Sequence, residues 1–215
     1  SVVSPGNPET VNKLFADFTG TPIKNEPAVY TPTYLDQNKP VSIDTVGGGQ
    51  RSYLFWGFER KIDPKDAPAL QALSLVLADK IIFDIREKQG MAYHMSAGVD
   101  VIKDKALFYI SQGTRPQNVD KLVPQYPGFF KQAVVDKLTQ GELEKSINMY
   151  LGRMMFRRLS SINQAYYLGN SLYFENNFNY DKQFLDALKK VNLAEVKNAA
   201  KKYMVIKNPL SIIVR

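Results

Sequence analysis

One stretch of the sequence, residues 83–93, places side chains that could hold a peptide at the junction of a predicted helix and a predicted strand. Arg86 stands at the end of the helix, Gly90 breaks it, and Tyr93 opens the strand that follows. An arginine fork and a phenol hydroxyl that converge across this turn would clamp peptide carbonyls or a developing oxyanion. The spacing also allows a structural alternative, in which Arg86 binds the last carbonyls of the helix and Tyr93 simply packs.

Several other kinds of site are excluded by the residues that the chain lacks. The 215 residues include one histidine, His94, and no cysteine, so a disulfide framework, a Cys nucleophile and a Cys-ligated zinc are ruled out. A peptidase zinc needs about three protein ligands, and the sequence contains no His-x-x-Glu-His. The glycine run 47–49 lacks a following Lys-Ser/Thr and is interpreted as a turn or bulge. We therefore predict neither catalytic residues nor a metal site, and we expect His94 to point away from the face of Tyr93.

The elements that position the clamp follow from the apolar spacing on either side of it. Residues 70–85 keep helical spacing after a predicted N-cap at Asp66. Residues 91–101 then alternate, with Tyr93 on the apolar side, and residues 106–110 return as a second strand after a charged turn. A helix, a loop and a β-hairpin are thus predicted around the clamp.

The remaining elements are predicted from capping residues, prolines and strand patterns. Toward the N-terminus we predict a strand at 1–5, a helix capped by Asn7 and ended by Gly20, and an extended connector at 21–40. Further strands are predicted at 41–46, 51–58 and 210–214. Further helices are predicted to begin at Thr139, Ser160 and Asn192, and the last of them to end near Tyr203. Pro124 and Pro127 predict two shorter helices or a kink. Hairpins followed by runs of helices predict an α+β fold, with a largely antiparallel sheet and helices packed on one face. We treat residues 1–215 as one domain with its main body at 41–215.

The net charge of +7 raises the question of an anionic partner. The densest groups, Arg153/Arg157/Arg158 and Lys201/Lys202, stand on predicted helices and are interpreted as solvated faces, so a nucleic-acid partner is not predicted. No stretch approaches the roughly 18 apolar residues of a membrane span. The sequence opens on Ser1 without a signal segment, and we expect it to lie within a longer parent chain. The compartment, bacterial periplasm or cytoplasm, stays open.

The stretch from Leu70 to Gly98 resembles the second-half signature of the insulinase/pitrilysin-type zinc metallopeptidases. In that family a helix ends in an Arg-Glu-Lys-x-Gly-(Leu/Met)-Ala-Tyr run, and this sequence supplies Arg86, Glu87, Lys88, Gly90, Met91, Ala92 and Tyr93 in register. The lead-in at 1–20, the Thr-x-x-Glu-Leu start at 139–143 and the final helix at 192–203 match the same template. Pro124 and Pro127 depart from a helix that the family keeps regular.

The resemblance implies the non-catalytic half of a zinc endopeptidase. In family members the first half carries an inverted His-x-x-Glu-His motif, so zinc is expected on a preceding domain or a separate subunit and no cofactor is expected here. The second half closes the peptide chamber and holds the substrate near the scissile bond, through residues that correspond to Arg86 and Tyr93. No activity is expected from this chain alone. The alternative is a catalytically dead scaffold or peptide-binding subunit of the same fold.

Overall fold

In a computed structural model of the protein, the described residues are 3–4, 6–16, 39–47 and 49–215. Two compact units are formed, one by Ser1–Leu35 with Phe156–Asp181 and the other by Asp36–Met155 with Lys182–Arg215. The strand predicted at 1–5 lies mostly outside the described residues, and the connector predicted at 21–40 lies almost wholly outside them. The sheet and the predicted clamp both belong to the second unit.

The second unit is built on a sheet of five strands, counted over the described residues. They are β1 (Val41–Thr45), β2 (Ser52–Lys61), β3 (His94–Ile102), β4 (Lys105–Thr114) and β5 (Leu210–Val214). The strand order is β1-β5-β2-β4-β3, in which β1 pairs with β5 in parallel and the other neighbours are antiparallel. The predicted largely antiparallel sheet is confirmed, and β3 occupies one of its edges.

Nine α-helices are found in the described part of the chain. They are α1 (Pro8–Leu14), α2 (Ala67–Ile82), α3 (Val119–Leu122), α4 (Tyr126–Phe129), α5 (Gln132–Asp136), α6 (Gln140–Arg157), α7 (Ser161–Glu175), α8 (Tyr180–Lys190) and α9 (Leu193–Tyr203). Helix α8 was not predicted from the sequence. None of these helices is long and apolar enough to cross a membrane.

The core of the second unit lies between the helices and one face of the sheet, as the α+β prediction requires. Alternate strand residues are buried there: Leu54, Trp56, Phe58, Met95, Ala97, Val99, Phe108 and Ile110. Phe58 stacks on Phe108 with ring centroids 4.9 Å apart, and Phe130 from the helical layer stacks on Trp56 at 5.5 Å. Helix α2 packs against β3, and α9 packs against α2 and α5.

Side-chain caps confirm most of the predicted helix starts. Asn7 Oδ1 accepts the backbone N–H of Glu9 at 2.8 Å, and Ser160 Oγ accepts that of Asn163 at 3.2 Å. Two capping boxes are complete, that of Thr139 with Glu142 and that of Asn192 with Glu195. Hydrogen bonds between nearby side chains and the free backbone N–H groups of the first turn therefore determine where these helices begin.

Asp66 stands at the N-cap position of α2, as predicted, but its side chain does not cap the helix. A 3₁₀ turn at Pro64–Asp66 precedes α2, and Asp63 caps it by accepting the Lys65 backbone N–H at 3.1 Å. The Asp66 carboxylate instead accepts hydrogen bonds from Lys202 Nζ at 2.9 Å and the Tyr203 hydroxyl at 2.6 Å. A carboxylate near a helix start can accept hydrogen bonds from residues distant in sequence instead of capping the helix, and here the donors lie on α9.

Of three further expectations, two change in the structure and one is confirmed. Helix α1 ends at Leu14 and a turn follows, so the helix predicted up to Gly20 is too long in its described part. Pro124 and Pro127 stand near the starts of successive short helical segments, which confirms the predicted break. The basic groups are not wholly solvated, since Arg158 Nε donates to Asp181 at 2.9 Å and Lys202 is paired with Asp66.

Candidate functional site

Arg86 lies on a π-helical turn, Phe83–Lys88, that extends α2. Ile85 in this turn is completely buried and anchors it to the core. The Arg86 side chain, 54% exposed, projects from the anchored turn into solvent. Gly90 then adopts φ +63°, a left-handed conformation that glycine reaches without Cβ strain, and the chain turns toward β3. The predicted helix end is therefore confirmed in position, although its last turn is π rather than α.

Tyr93 lies immediately before β3 and is 51% exposed. Its backbone N–H donates to the Gly113 carbonyl at 3.1 Å, so pairing with β4 already begins at this residue. Tyr93 is predicted on the apolar side of the strand, but it precedes β3 and does not join the buried residues of that strand. His94 is exposed while the following Met95 is buried, so His94 lies on the face opposite Met95.

Arg86 and Tyr93 have different partners in the structure. Arg86 Nε lies 3.6 Å from the Glu87 carboxylate. Within the described ranges, no hydrogen bond or ring contact joins Arg86 to Tyr93, and none joins its guanidinium to a helix carbonyl. The structural alternative, in which Arg86 binds the last carbonyls of the helix, is therefore not observed among the described residues.

Tyr93 contacts two arginines that the sequence analysis did not select. Arg115 Nε donates to the Tyr93 hydroxyl at 2.6 Å. The guanidinium carbons of Arg51 and Arg115 lie 5.6 and 5.8 Å from the centre of the Tyr93 ring, within cation–π range. Arg51 immediately precedes β2 and Arg115 immediately follows β4, and the β2–β4 register brings these two strand ends together. Arg51, Tyr93 and Arg115 are called the arginine–tyrosine cluster below.

A buried hydrogen bond fixes the helix that carries Arg86 against the strand that follows Tyr93. Ser74 Oγ on α2 accepts the backbone N–H of Val99 on β3 at 2.7 Å. The close approach needs Gly98, which has φ +141° and whose hypothetical Cβ would lie 2.4 Å from Ser74 Oγ. The two elements therefore cannot slide past each other without breaking a buried polar contact.

The loop between Arg86 and Tyr93 is fixed by polar side chains. Thr114 Oγ1 donates to the Met91 carbonyl at 2.6 Å, and Asn118 Nδ2 donates to Thr114 Oγ1 at 3.2 Å. Gln89 Nε2 lies within hydrogen-bond distance of Asp84 at 3.1 Å, which links the loop back to the π-helical turn. The two predicted clamp residues thus stand on an ordered support.

The residues of this chain do not fit a peptidase zinc. Across the described ranges, no three His, Cys, Asp or Glu side chains come together in a way that could hold a metal ion. The single histidine is exposed on the edge strand.

The five-stranded sheet with its helices on one face defines an α+β domain, and over the described residues no side-chain group in it could hold a metal ion. A family profile described as the peptidase M16 inactive domain matches residues 8–150. The chain belongs to this family, which confirms the resemblance to insulinase/pitrilysin-type peptidases.

Solved structures of similar fold come from bacterial proteases. A protease from Helicobacter pylori is 17% identical with a TM-score of 0.75, over 98% of this chain and 53% of that one. A peptidase M16 inactive domain from Pseudomonas fluorescens is 18% identical with a TM-score of 0.67, over 81% and 43%. The periplasmic protease PqqL from Escherichia coli is 17% identical with a TM-score of 0.67, over 82% and 20%.

The chain spans between about a fifth and about half of the length of these proteases. At this level of identity the likeness concerns the fold. No curated protein matches the chain by sequence.

Proposed function

We propose that the whole chain, residues 1–215, serves as the substrate-binding, non-catalytic half of a zinc-dependent endopeptidase. The observation that carries the proposal is the exposed pair Arg86 and Tyr93 on a rigid support beside an edge strand. The zinc and its ligands belong to a preceding domain or a partner subunit, and the inactive-domain family supports such a division.

Each element of the site has a distinct task in this proposal. Among the described residues, strand β3 pairs only with β4, and apart from the Val99 N–H, which donates to Ser74, an extended peptide can add along its other side. Arg86 presents several N–H donors to the carbonyl oxygens of such a peptide. The Tyr93 hydroxyl accepts from Arg115, which leaves its own proton free to be donated toward the substrate. Together they would stabilise negative charge that develops on the scissile carbonyl in the other half's active centre.

The second candidate is a catalytically dead scaffold or peptide-binding subunit of the same fold. The lack of metal ligands in the described chain agrees with both candidates. The exposed Arg86 favours the peptidase half, because a guanidinium held on an ordered turn without a buried partner has no evident structural task.

The test measures peptide cleavage by the full-length protein that contains this chain, zinc-loaded and with any separate zinc-bearing subunit present. Arg86→Ala and Tyr93→Phe should lower kcat/KM by roughly 100- to 1,000-fold, the range for loss of one transition-state donor. Arg153→Ala removes an exposed arginine from α6 and should leave kcat/KM unchanged.

Two outcomes would contradict the proposal. One is cleavage at the wild-type rate by both site variants. The other is the absence of a His-x-x-Glu-His sequence both from a partner subunit and from the region roughly 150–200 residues upstream of Arg86, a distance that corresponds to one half-domain. In the second case the scaffold candidate would take its place.

A further inference from the structure

The arginine–tyrosine cluster concentrates positive charge at the start of the edge strand. Arg51 and Arg115 are both exposed, and both guanidinium carbons lie within 6 Å of the centre of the Tyr93 ring. The Tyr93 hydroxyl accepts from Arg115 Nε, so both Nη groups of that arginine, with four N–H bonds, stay available. The hydrogen bond also orients the guanidinium, which reduces the entropy lost when a ligand binds.

No carboxylate within the described part of the chain pairs with Arg51 or Arg115. Asp120, the acidic residue closest in sequence to Arg115, accepts instead from Arg215 Nη2 at 3.0 Å. Glu87, on the neighbouring turn, is paired with Arg86. Both guanidinium groups contact the same ring, and an anion bound beside that ring would be attracted by both. The arginine–tyrosine cluster can therefore bind an anion.

We propose that the arginine–tyrosine cluster is a subsite for a carboxylate of the bound peptide, so that the protein selects acidic peptides. The inference rests on the proposed function, since it assumes that an extended peptide adds to β3. A peptide paired along β3 would pass the cluster as it leaves the strand at His94. An aspartate or glutamate side chain, or a terminal carboxylate, can accept two parallel N–H bonds from an arginine fork.

The overall charge of the chain agrees with this selection. A net charge of +7 attracts acidic peptides over a distance of about 8–10 Å at physiological salt. Such attraction alone would not discriminate between positions in a peptide. The cluster adds a located contact, because Arg51 and Arg115 are held by their strand ends and by the Tyr93 ring.

The experiment measures peptide binding to the full-length protein that contains this chain, with the metal chelated so that no peptide is cleaved. Three fluorescent peptides of one sequence are compared by anisotropy: one with an internal Glu and an amidated C-terminus, one with Gln there and the same amide, and one with Gln and a free C-terminal carboxylate. We expect the Glu peptide or the free-carboxylate peptide to bind roughly 3- to 10-fold more tightly than the neutral one. The peptide that binds more tightly shows whether the carboxylate comes from a side chain or from the C-terminus.

Substitutions assign the preference to the cluster. Arg51→Gln and Arg115→Gln should each reduce the preference at least two-fold, and the double variant should abolish it. Arg115→Lys keeps the charge without the fork and should give an intermediate value. Arg153→Gln removes the same charge from α6 and should keep the full preference. Because Arg51 and Arg115 are exposed, thermal melting should match the wild type for every variant.

Equal binding of all three peptides, or a preference that survives in the double variant, would overturn the inference. If the zinc-loaded protein still cleaves peptides in that case, only the carboxylate subsite is wrong. If no peptide is bound or cleaved at all, the proposed function fails and the inference fails with it. The preference should also shrink at 0.5 M salt, where the Debye length falls to about 4 Å.

Discussion

Replacing Gly98 by alanine is expected to destabilise the packing of α2 against β3, and with it the support of the predicted clamp. The new Cβ would lie 2.4 Å from Ser74 Oγ and 3.3 Å from the Ser74 carbonyl oxygen. Forcing a methyl group into such a contact costs about 1–3 kcal/mol. The φ of +141° adds about 1–3 kcal/mol of backbone strain for any residue with a Cβ.

The expected loss is therefore about 3 kcal/mol, allowing for partial relaxation of the helix. In a chain of this size each kcal/mol lowers Tm by roughly 2–4 °C, so a fall of roughly 6–12 °C should be observed. Urea unfolding followed by circular dichroism measures the free energy directly. The matched control is Gly152→Ala in α6, where a Cβ would meet nothing within 4 Å. That substitution should stabilise the protein by up to about 1 kcal/mol through helix propensity.

A double-mutant cycle with Ser74→Ala tests the proposed cause. Ser74→Ala alone leaves the buried Val99 N–H without its acceptor and should cost about 1–3 kcal/mol. It also removes the oxygen that the new methyl group would meet. The double variant should therefore be at least about 1 kcal/mol more stable than the sum of the single effects predicts. Additivity within about 0.5 kcal/mol would refute the reasoning, as would a stabilising effect of Gly98→Ala.

Two further predictions concern polar contacts of the second unit. A hydrogen bond from Lys80 Nζ and one from the Thr139 backbone hold the pKa of Glu142 at about 2, against an ordinary value of 4.5. Because the folded-state pKa is the lower one, the contribution is complete above pH 4.5 and is lost as the pH falls toward 2. The free energy of unfolding, measured by urea titration, should differ less between pH 7 and pH 3 in Glu142→Gln than in the wild type, by up to about 1 kcal/mol. An unchanged difference would contradict the lowered pKa of Glu142. Tyr203→Phe removes the buried hydroxyl that donates to Asp66 and accepts from the Asp63 N–H. It should cost about 1–2 kcal/mol at pH 7 by the same assay, and a cost below 0.5 kcal/mol would mean that solvent replaces the hydroxyl.

The parts of the fold that were predictable depend on neighbours in sequence. A capping box needs only residues three apart, and both predicted boxes are present, at Thr139 and Asn192. The cap at Asp66 failed because α9 brings Tyr203 to the carboxylate from 137 residues away. Helix α8 was not predicted although its apolar residues Phe184, Leu185 and Leu188 have helical spacing. Charged residues surround these three positions and make the apolar pattern short.

The candidate site was half predictable for the same reason. Arg86 and Tyr93 lie seven residues apart around a glycine turn, so their chemistry could be recognised locally. Arg51 and Arg115 reach Tyr93 only through the β2–β4 register, which a single sequence does not reveal. The exposure of Tyr93 was missed for a related reason, because alternation does not show at which residue the strand begins.

The position of β5 has a consequence for how the chain is made. This strand inserts between β1 and β2, both of which precede it by roughly 150 residues of sequence. During synthesis at roughly 5–20 residues per second, β2 waits on the order of 10 s with one side bonded to β4 and the other open. In that interval β1 has no partner in the sheet, and the open side of β2 is a site where a second nascent chain can pair wrongly. Synthesis of β5 is thus the step that joins β1 to β2. Misassembly would first be seen where several nascent chains lie close together on one messenger RNA.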